Sequence, residues 1–234
     1  MPTLLQDALL PLTSTIGFVE ADCARAAAAY LAWRNSIKDG DWVTRLTSRP
    51  VAGTLSDVLR GLLPLKQVEA NRRVFVPTSG AWTAYFDNGW TGADPFPVLS
   101  CLLDALRCRA VRMTAVAPPR FGATIFELLD PVQGPPPLRV LRSIGVLQEG
   151  TRWRFDTVGA PLPFEETEPY TRKRIRDRFD ADLLDRYLRT LGIAAFDERF
   201  YLPEGQTGVL IEADGAINGP RNLDISLAQA QHGT

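Results

Sequence analysis

Arg72-Arg-Val-Phe-Val-Pro77, Thr78-Ser-Gly80 and Ala81-Trp-Thr-Ala-Tyr-Phe-Asp87 form the stretch from which the fold is read. Val74 and Val76 alternate with their neighbours, as a strand requires. Trp82, Ala84 and Phe86 point one way along a second extended run, and Thr83 and Tyr85 point the other. The short polar link between the runs predicts a hairpin. Asp87-Asn88-Gly89 then supplies side-chain hydrogen bonds and the φ > 0 positions of a tight turn. Trp90 and Asp94 lie beyond that turn, at a corner rich in aromatics, carboxylates and glycines.

Outward from this hairpin, helical spacing of Ala26, Ala29, Tyr30 and Trp33 predicts a helix over 22–36, closed by Asp39-Gly40. Thr54 or Ser56 caps a short helix running to Leu63 and stopped by Pro64. Pro95 or Pro97 starts a helix over 98–106. Strands are expected at 109–116, 122–129, 138–148 and 152–158, with a turn at Glu149-Gly150 between the last two. Pro135-Pro136-Pro137 reads as a stiff exposed loop. A basic stretch at 171–179 is a helical turn or a bent helix, and Asp180 caps a helix that Gly192 ends. The fold class expected is α+β, a mainly antiparallel sheet of about five to six strands with flanking helices. One domain is expected over 1–228, with a helical part at 1–66, a sheet core at 70–160, a helical part at 167–202, and a disordered tail at 229–234.

The chain has 234 residues, 45% hydrophobic and 23% charged, with a formal net charge of −1. That balance argues against a dedicated nucleic-acid binder. No run approaches the roughly 18 apolar residues of a membrane span, and residues 1–16 lack the basic start of a secretory signal. A cytoplasmic bacterial protein is the expectation. The three cysteines, Cys23, Cys101 and Cys108, include no C-x-x-C pair, and His232 is the single histidine. Histidine-based triads and histidine-rich zinc sites are thereby excluded. Phosphate-binding loops, nucleotide-binding glycine fingerprints and nucleophile elbows are also absent. No metal and no cofactor is expected, and no catalytic residue is assigned.

Candidate chemistry gathers in four places. At the corner, Asp87 and Asp94 are a carboxylate pair with Trp82, Tyr85 and Trp90 as stacking faces for a sugar or flat ligand; yet Asp87 and Asn88 are also what a turn demands, and the structural reading takes precedence. Pro163-Phe-Glu165-Glu-Thr-Glu-Pro-Tyr170 carries acids that suit a cation poorly and a helix start better, with Thr167 or Glu168 as cap. Arg172-Lys-Arg174-Ile-Arg-Asp-Arg178 reads as a solvated face, since acidic residues surround it. Arg139, Arg142, Arg152 and Arg154 read as the wet face of a sheet.

The strings Trp-Thr-Ala-Tyr-Phe-Asp-Asn-Gly at 82–89, Gly-Ala-Thr-Ile-Phe-Glu at 122–127, Arg-Trp-Arg-Phe at 152–155 and Pro-Phe-Glu at 163–165, with Tyr170 and the basic segment, resemble an uncharacterised family of bacterial proteins over roughly 70–201. The resemblance implies no catalytic residue. Small α+β bacterial proteins without catalytic signatures also resemble toxin-neutralising immunity proteins, an analogy of fold alone. The function expected is therefore non-enzymatic binding of a protein partner, immunity-like, with Trp90, Asp94, Tyr85, Asp87, Asn88, Glu165, Tyr170 and Arg174 as binding residues. The alternatives are a histidine-independent hydrolase using Asp87, Asp94, Glu127 or Glu165, and a nucleic-acid accessory factor working through 172–178.

Overall fold

A computed structural model of the chain describes residues 2–37, 45–118, 121–214 and 221–232. In chain order the elements are β1 (Thr15–Val19), α1 (Cys23–Ser36), β2 (Arg45–Val51), α2 (Leu55–Arg60), β3 (Leu65–Lys66), β4 (Arg72–Pro77), β5 (Thr83–Asp87) and α3 (Phe96–Leu106). They continue with β6 (Ala110–Val116), β7 (Ala123–Leu129), β8 (Val140–Glu149), β9 (Arg152–Val158), α4 (Ala181–Thr190), β10 (Gly208–Asp214), β11 (Asp224–Ile225) and α5 (Leu227–His232). Nine strands form one antiparallel sheet in the order β2-β10-β4-β5-β1-β6-β7-β8-β9, and β3 pairs with β11 in a second, two-stranded sheet. The fold is α+β.

The β4–β5 hairpin forms as the sequence predicts, with Arg73 opposite Asp87 and Phe75 opposite Tyr85. The sheet is larger than expected, because β1, β2 and β10 join it from outside the 70–160 segment. β1 lies at its centre, between β5 and β6. Those two neighbours therefore run parallel to each other, and α3 crosses β1 to join them. Gly17 in β1 makes that crossing close: a Cβ there would sit 2.7 Å from Cβ of Pro95.

Both sheet faces are buried over β1, β4 and β5. One face, called the helix face here, packs Phe75, Tyr85 and Val19 against Tyr30 of α1 and Leu99 and Leu103 of α3. The opposite face packs Phe18, Val76, Phe86, Met113 and Phe126 against α2 and α4. Each such side chain contributes about 1.5–3 kcal/mol by leaving water. Trp82, Ala84 and Phe86 share the second face and Tyr85 the first, as the alternation requires.

Several expectations need correction. The positive φ at the corner falls at Gly92 (102°), not within 87–89. Residues 168–171 and 175–177 form isolated 3₁₀ turns, and Thr167 makes no side-chain cap. Arg142 is buried rather than on a wet face, whereas Arg152 and Arg154 are exposed. Residues 227–232 are helical, so the expected tail is ordered over its described part. The Asp39-Gly40 stop lies outside the described residues. Of the two caps offered for α2, Thr54 forms, and the Asp180 cap forms as read; Asp22 caps α1 in the same way, each side chain accepting a backbone N–H three residues on.

Candidate functional site

Two depressions flank the start of α3 on the helix face, and Asp94 and Pro97 line both. The first is a cavity of about 320 Å³ bounded by Tyr30, Trp33 and Arg34 of α1, the 66–70 loop, Arg73 and Asp87 of the hairpin, and Trp90. Its loop wall is pinned by two buried asparagines. Asn88 accepts the N–H groups of Asn71 and Arg72 at 3.0 Å and donates to Pro64 O and Asn71 Oδ1 at 2.8 Å. Asn222 accepts from Val68 N and Glu69 N and donates to Glu69 O. An asparagine engaged at both ends of its amide fixes backbone on two sides.

The floor of this cavity is charged and buried. Tyr85 donates to Asp87 Oδ2 at 3.1 Å, and Gly89 N donates to Oδ1 at 2.9 Å. The latter is the turn that the sequence anticipates. Burial raises the Asp87 carboxyl above its ordinary range, although Gly89 and Arg73 pull it down. Burial also lifts the Tyr85 phenol well above its usual value, helped by the neighbouring Asp87. Arg73 is 7% exposed. Burial works against its charge, but Tyr85, Tyr30 and Asp87 outweigh that and keep the guanidinium cationic. Its Nη1 has no hydrogen-bond partner among the described residues, and Glu69 lies 4.0 Å from Nη2.

The second depression is an open groove of about 460 Å³ beyond α3, lined by Phe96, Arg112, Glu127, Ser143, Leu138 and Val158 among others. Arg112 pairs with Glu127 at 2.7 Å, approaches Asp94 at 3.8 Å and lies 5.6 Å from the centre of the Phe96 ring. Leu138 and Val158 stay 55% and 56% exposed at its edge. Further along the same face Ile125 and Leu147 close over Gly145, and Arg152, Arg154 and Asp156 of β9 face solvent.

Trp90, Asp94, Tyr85 and Asp87 thus meet at one site, with Asn88 directly behind it. Glu165 and Tyr170 belong elsewhere, on the opposite face of the sheet. There Arg142 donates twice to Glu165 at 2.7 Å and also to the carbonyls of Val158 and Gly159. Leu162 N and the Tyr170 hydroxyl donate to the same carboxylate, and the Tyr187 hydroxyl lies 2.9 Å from that of Tyr170. Arg174 stands apart from both groups, exposed and 4.0 Å from Asp177. In the same basic segment Arg172 donates to Asp177 O and Arg178 to Arg172 O, so part of it is folded back on itself.

Sequence reasoning missed Arg73, Arg34 and Arg112 as site residues. Alternation placed Arg73 beside Phe75, but an arginine flanked by apolar residues also fits a strand edge. The thiols offer no nucleophile: burial pushes Cys23 up to about 12, and Cys101 and Cys108 to about 11. Among the described residues no group of three or more His, Cys, Asp or Glu side chains is arranged to hold a metal, and no helix is long and apolar enough to cross a membrane. No family model, curated protein or solved structure matches this chain.

Proposed function

We propose that this protein binds another protein, in the manner of toxin-neutralising immunity proteins, through the open part of the helix face and the Trp90–Asp94 corner beside it. The observation that supports this is the incomplete covering of the sheet. α1 and α3 shield the centre, while the groove beyond α3 leaves Leu138 and Val158 more than half exposed beside Arg112, Glu127 and Asp94. Apolar residues in a charged rim are the make-up of a protein-binding patch. The proposed partner is a protein presenting apolar side chains to Leu138 and Val158 and mixed charge to the rim. A cytoplasmic setting and membership of the bacterial family resembled above belong to the same proposal.

The test is capture from lysate of the source cell with wild-type protein and with a Leu138→Asp, Val158→Asp variant. Both positions are exposed, so the variant is expected to fold, which circular dichroism verifies. A stoichiometric partner retained by wild type and lost from the variant is the expected result. Recovery of the same partner by both proteins removes the groove from the reading, and recovery of none from either removes the reading itself.

A second reading, a histidine-independent hydrolase, is favoured by one observation: Asp94 and Glu127 both approach the Arg112 guanidinium in a single open groove. Asp87, buried and engaged by Tyr85 and Gly89, is unsuited to partner Asp94 in open chemistry. Turnover of a glycoside or nucleotide panel that is lost in Glu127→Gln would support this reading; no turnover by wild type would end it.

A further inference from the structure

The cavity on the other side of Asp94 has features that the protein-binding reading does not use. Three cationic side chains line it: Arg34, Lys66 and Arg73. Lys66 is taken up by Asp224 on the neighbouring strand. Asp87 is occupied by Tyr85 and Gly89, and Asp94, 75% exposed, leans to Arg112 in the adjoining groove. Arg34 and Arg73 are left facing one carboxylate, Glu69, at 3.7 and 4.0 Å, both beyond hydrogen-bond length. Asp87 adds its field to that of Glu69 on Arg73, but it spends its hydrogen bonds on Tyr85 and Gly89 rather than on the guanidinium. Arg73 adds an Nη1 without a hydrogen-bond partner among the described residues, in a side chain 9% exposed. A buried donor left unpaired costs about 1–3 kcal/mol, so native structures keep few of them.

Between polar side chains such as Gln67 and Thr91, the lining presents flat aromatic faces. Tyr30 and Trp33 meet edge to face at 5.7 Å, Arg34 stacks 5.9 Å from the Trp33 ring centre, and Trp90, Pro97 and Val98 complete the wall. A volume of about 320 Å³ suits a molecule of modest size, and aromatic faces beside convergent polar groups are found in such sites. The asparagine-pinned loop holds the wall in place before any ligand arrives.

We propose that this cavity binds a small organic monocarboxylate with a flat apolar body, its carboxylate taken by Arg73 and Arg34 and its body lying between Trp33 and Trp90. A planar carboxylate matches the guanidinium fork. A dianion such as phosphate meets the nearby Glu69, Asp87 and Asp94 with a second negative charge and leaves the aromatic walls unused. The site shares Trp90 with the proposed protein-binding corner, but its anchoring arginines lie inside the cavity and need no protein partner.

Titrations of the full-length protein followed by tryptophan fluorescence provide the test, with phenylacetate, phenylacetamide, phenethylamine and inorganic phosphate as probes. Phenylacetate is expected to bind saturably in the millimolar range, and the other three at least about tenfold more weakly, the discrimination a charged hydrogen bond supplies. Arg34→Gln, at the cavity edge, is expected to weaken phenylacetate about tenfold without altering the far-ultraviolet circular dichroism. Arg73→Met is expected to abolish binding; where it fails to fold, Arg34→Gln carries the test. Absence of saturable phenylacetate binding, equal affinity for the acid and its amide, or unchanged affinity in Arg34→Gln would each overturn the proposal.

Discussion

Arg142 and Arg73 are two strand arginines, each buried and each set among tyrosines and a carboxylate, on opposite faces of one sheet. Arg142 is complete: both ends of the Glu165 carboxylate, two backbone carbonyls and the Tyr170 hydroxyl close the network. Arg73 is not: Nη1 lacks a partner among the described residues, and its ion pair is long. Satisfaction separates a structural knot from a site better than residue type does. The knot ties β8 to the 159–170 segment and to α4, whereas the Arg73 cluster forms the floor of a cavity.

Matched substitutions break or sharpen this contrast. Arg142→Met leaves Glu165 buried and unpaired, and it is expected to cost about 3–5 kcal/mol in urea unfolding. That is a large share of the roughly 5–15 kcal/mol typical of a domain. Arg73→Met removes a guanidinium with no hydrogen bond at Nη1 among the described residues and a long ion pair. Its expected cost is smaller, about 1–2 kcal/mol, much of it lost packing. Equal costs would erase the distinction between the two arginines.

The carboxylates sharpen it further through pH. Burial raises Asp87 above its ordinary value of 3.8 in the folded protein. Over the window between that value and the raised one, the folded state binds more protons than the unfolded state. Stability from this group is therefore full below about pH 4 and falls as pH rises through the folded pKa. Asp87→Asn is expected to remove that slope, seen as urea midpoints that fall less from about pH 4 to about pH 8. A wild-type midpoint unaffected by Asp87→Asn across the range would show that the carboxyl does not titrate unusually.

How far these features were legible follows from where each pattern is local. The β4–β5 hairpin, the β6–β9 meander and the capped helices announce themselves within about ten residues, and all form. β10 does not: Val209, Leu210 and Ile211 are a short apolar run, and the partners at 45–51 and 72–75 lie far away in sequence. β1 carries Gly17 at its middle and β2 carries Pro50, residues that speak against strands unless a close helix or a sheet edge requires them. The corner was legible as a place, because Trp90 and Asp94 exceed what a turn needs. Its chemistry was not, since Arg73 and Arg34 arrive from a neighbouring strand and from α1. Arg142 was half legible: it is in phase with Ile144 and Val146, which face the core, but only the fold brings Glu165 to it.

Tyr170→Phe probes the knot at its edge. The phenol donates to Glu165 at 3.0 Å, but Arg142 and Leu162 N continue to hold that carboxylate without it. The expected cost is about 1 kcal/mol in urea unfolding, the net value of one hydrogen bond whose acceptor stays satisfied. A cost near that of Arg142→Met would mean that the hydroxyl, not the ion pair, organises the knot.

Arg174→Ala is the smallest change and the control for all the others. Arg174 is charged, sits beside an acid and lies in the most basic stretch of the chain, so by composition it resembles Arg73 and Arg142. It differs in being 61% exposed, with Asp177 at 4.0 Å. Water already solvates both partners, and an ion pair of that length in the open contributes almost nothing. The unfolding midpoint is therefore expected to stay unchanged, as is the fluorescence response to phenylacetate. A measurable loss of stability would mean that charge alone, irrespective of burial and hydrogen bonding, governs these arginines, and the contrast between the knot and the cavity would fall with it.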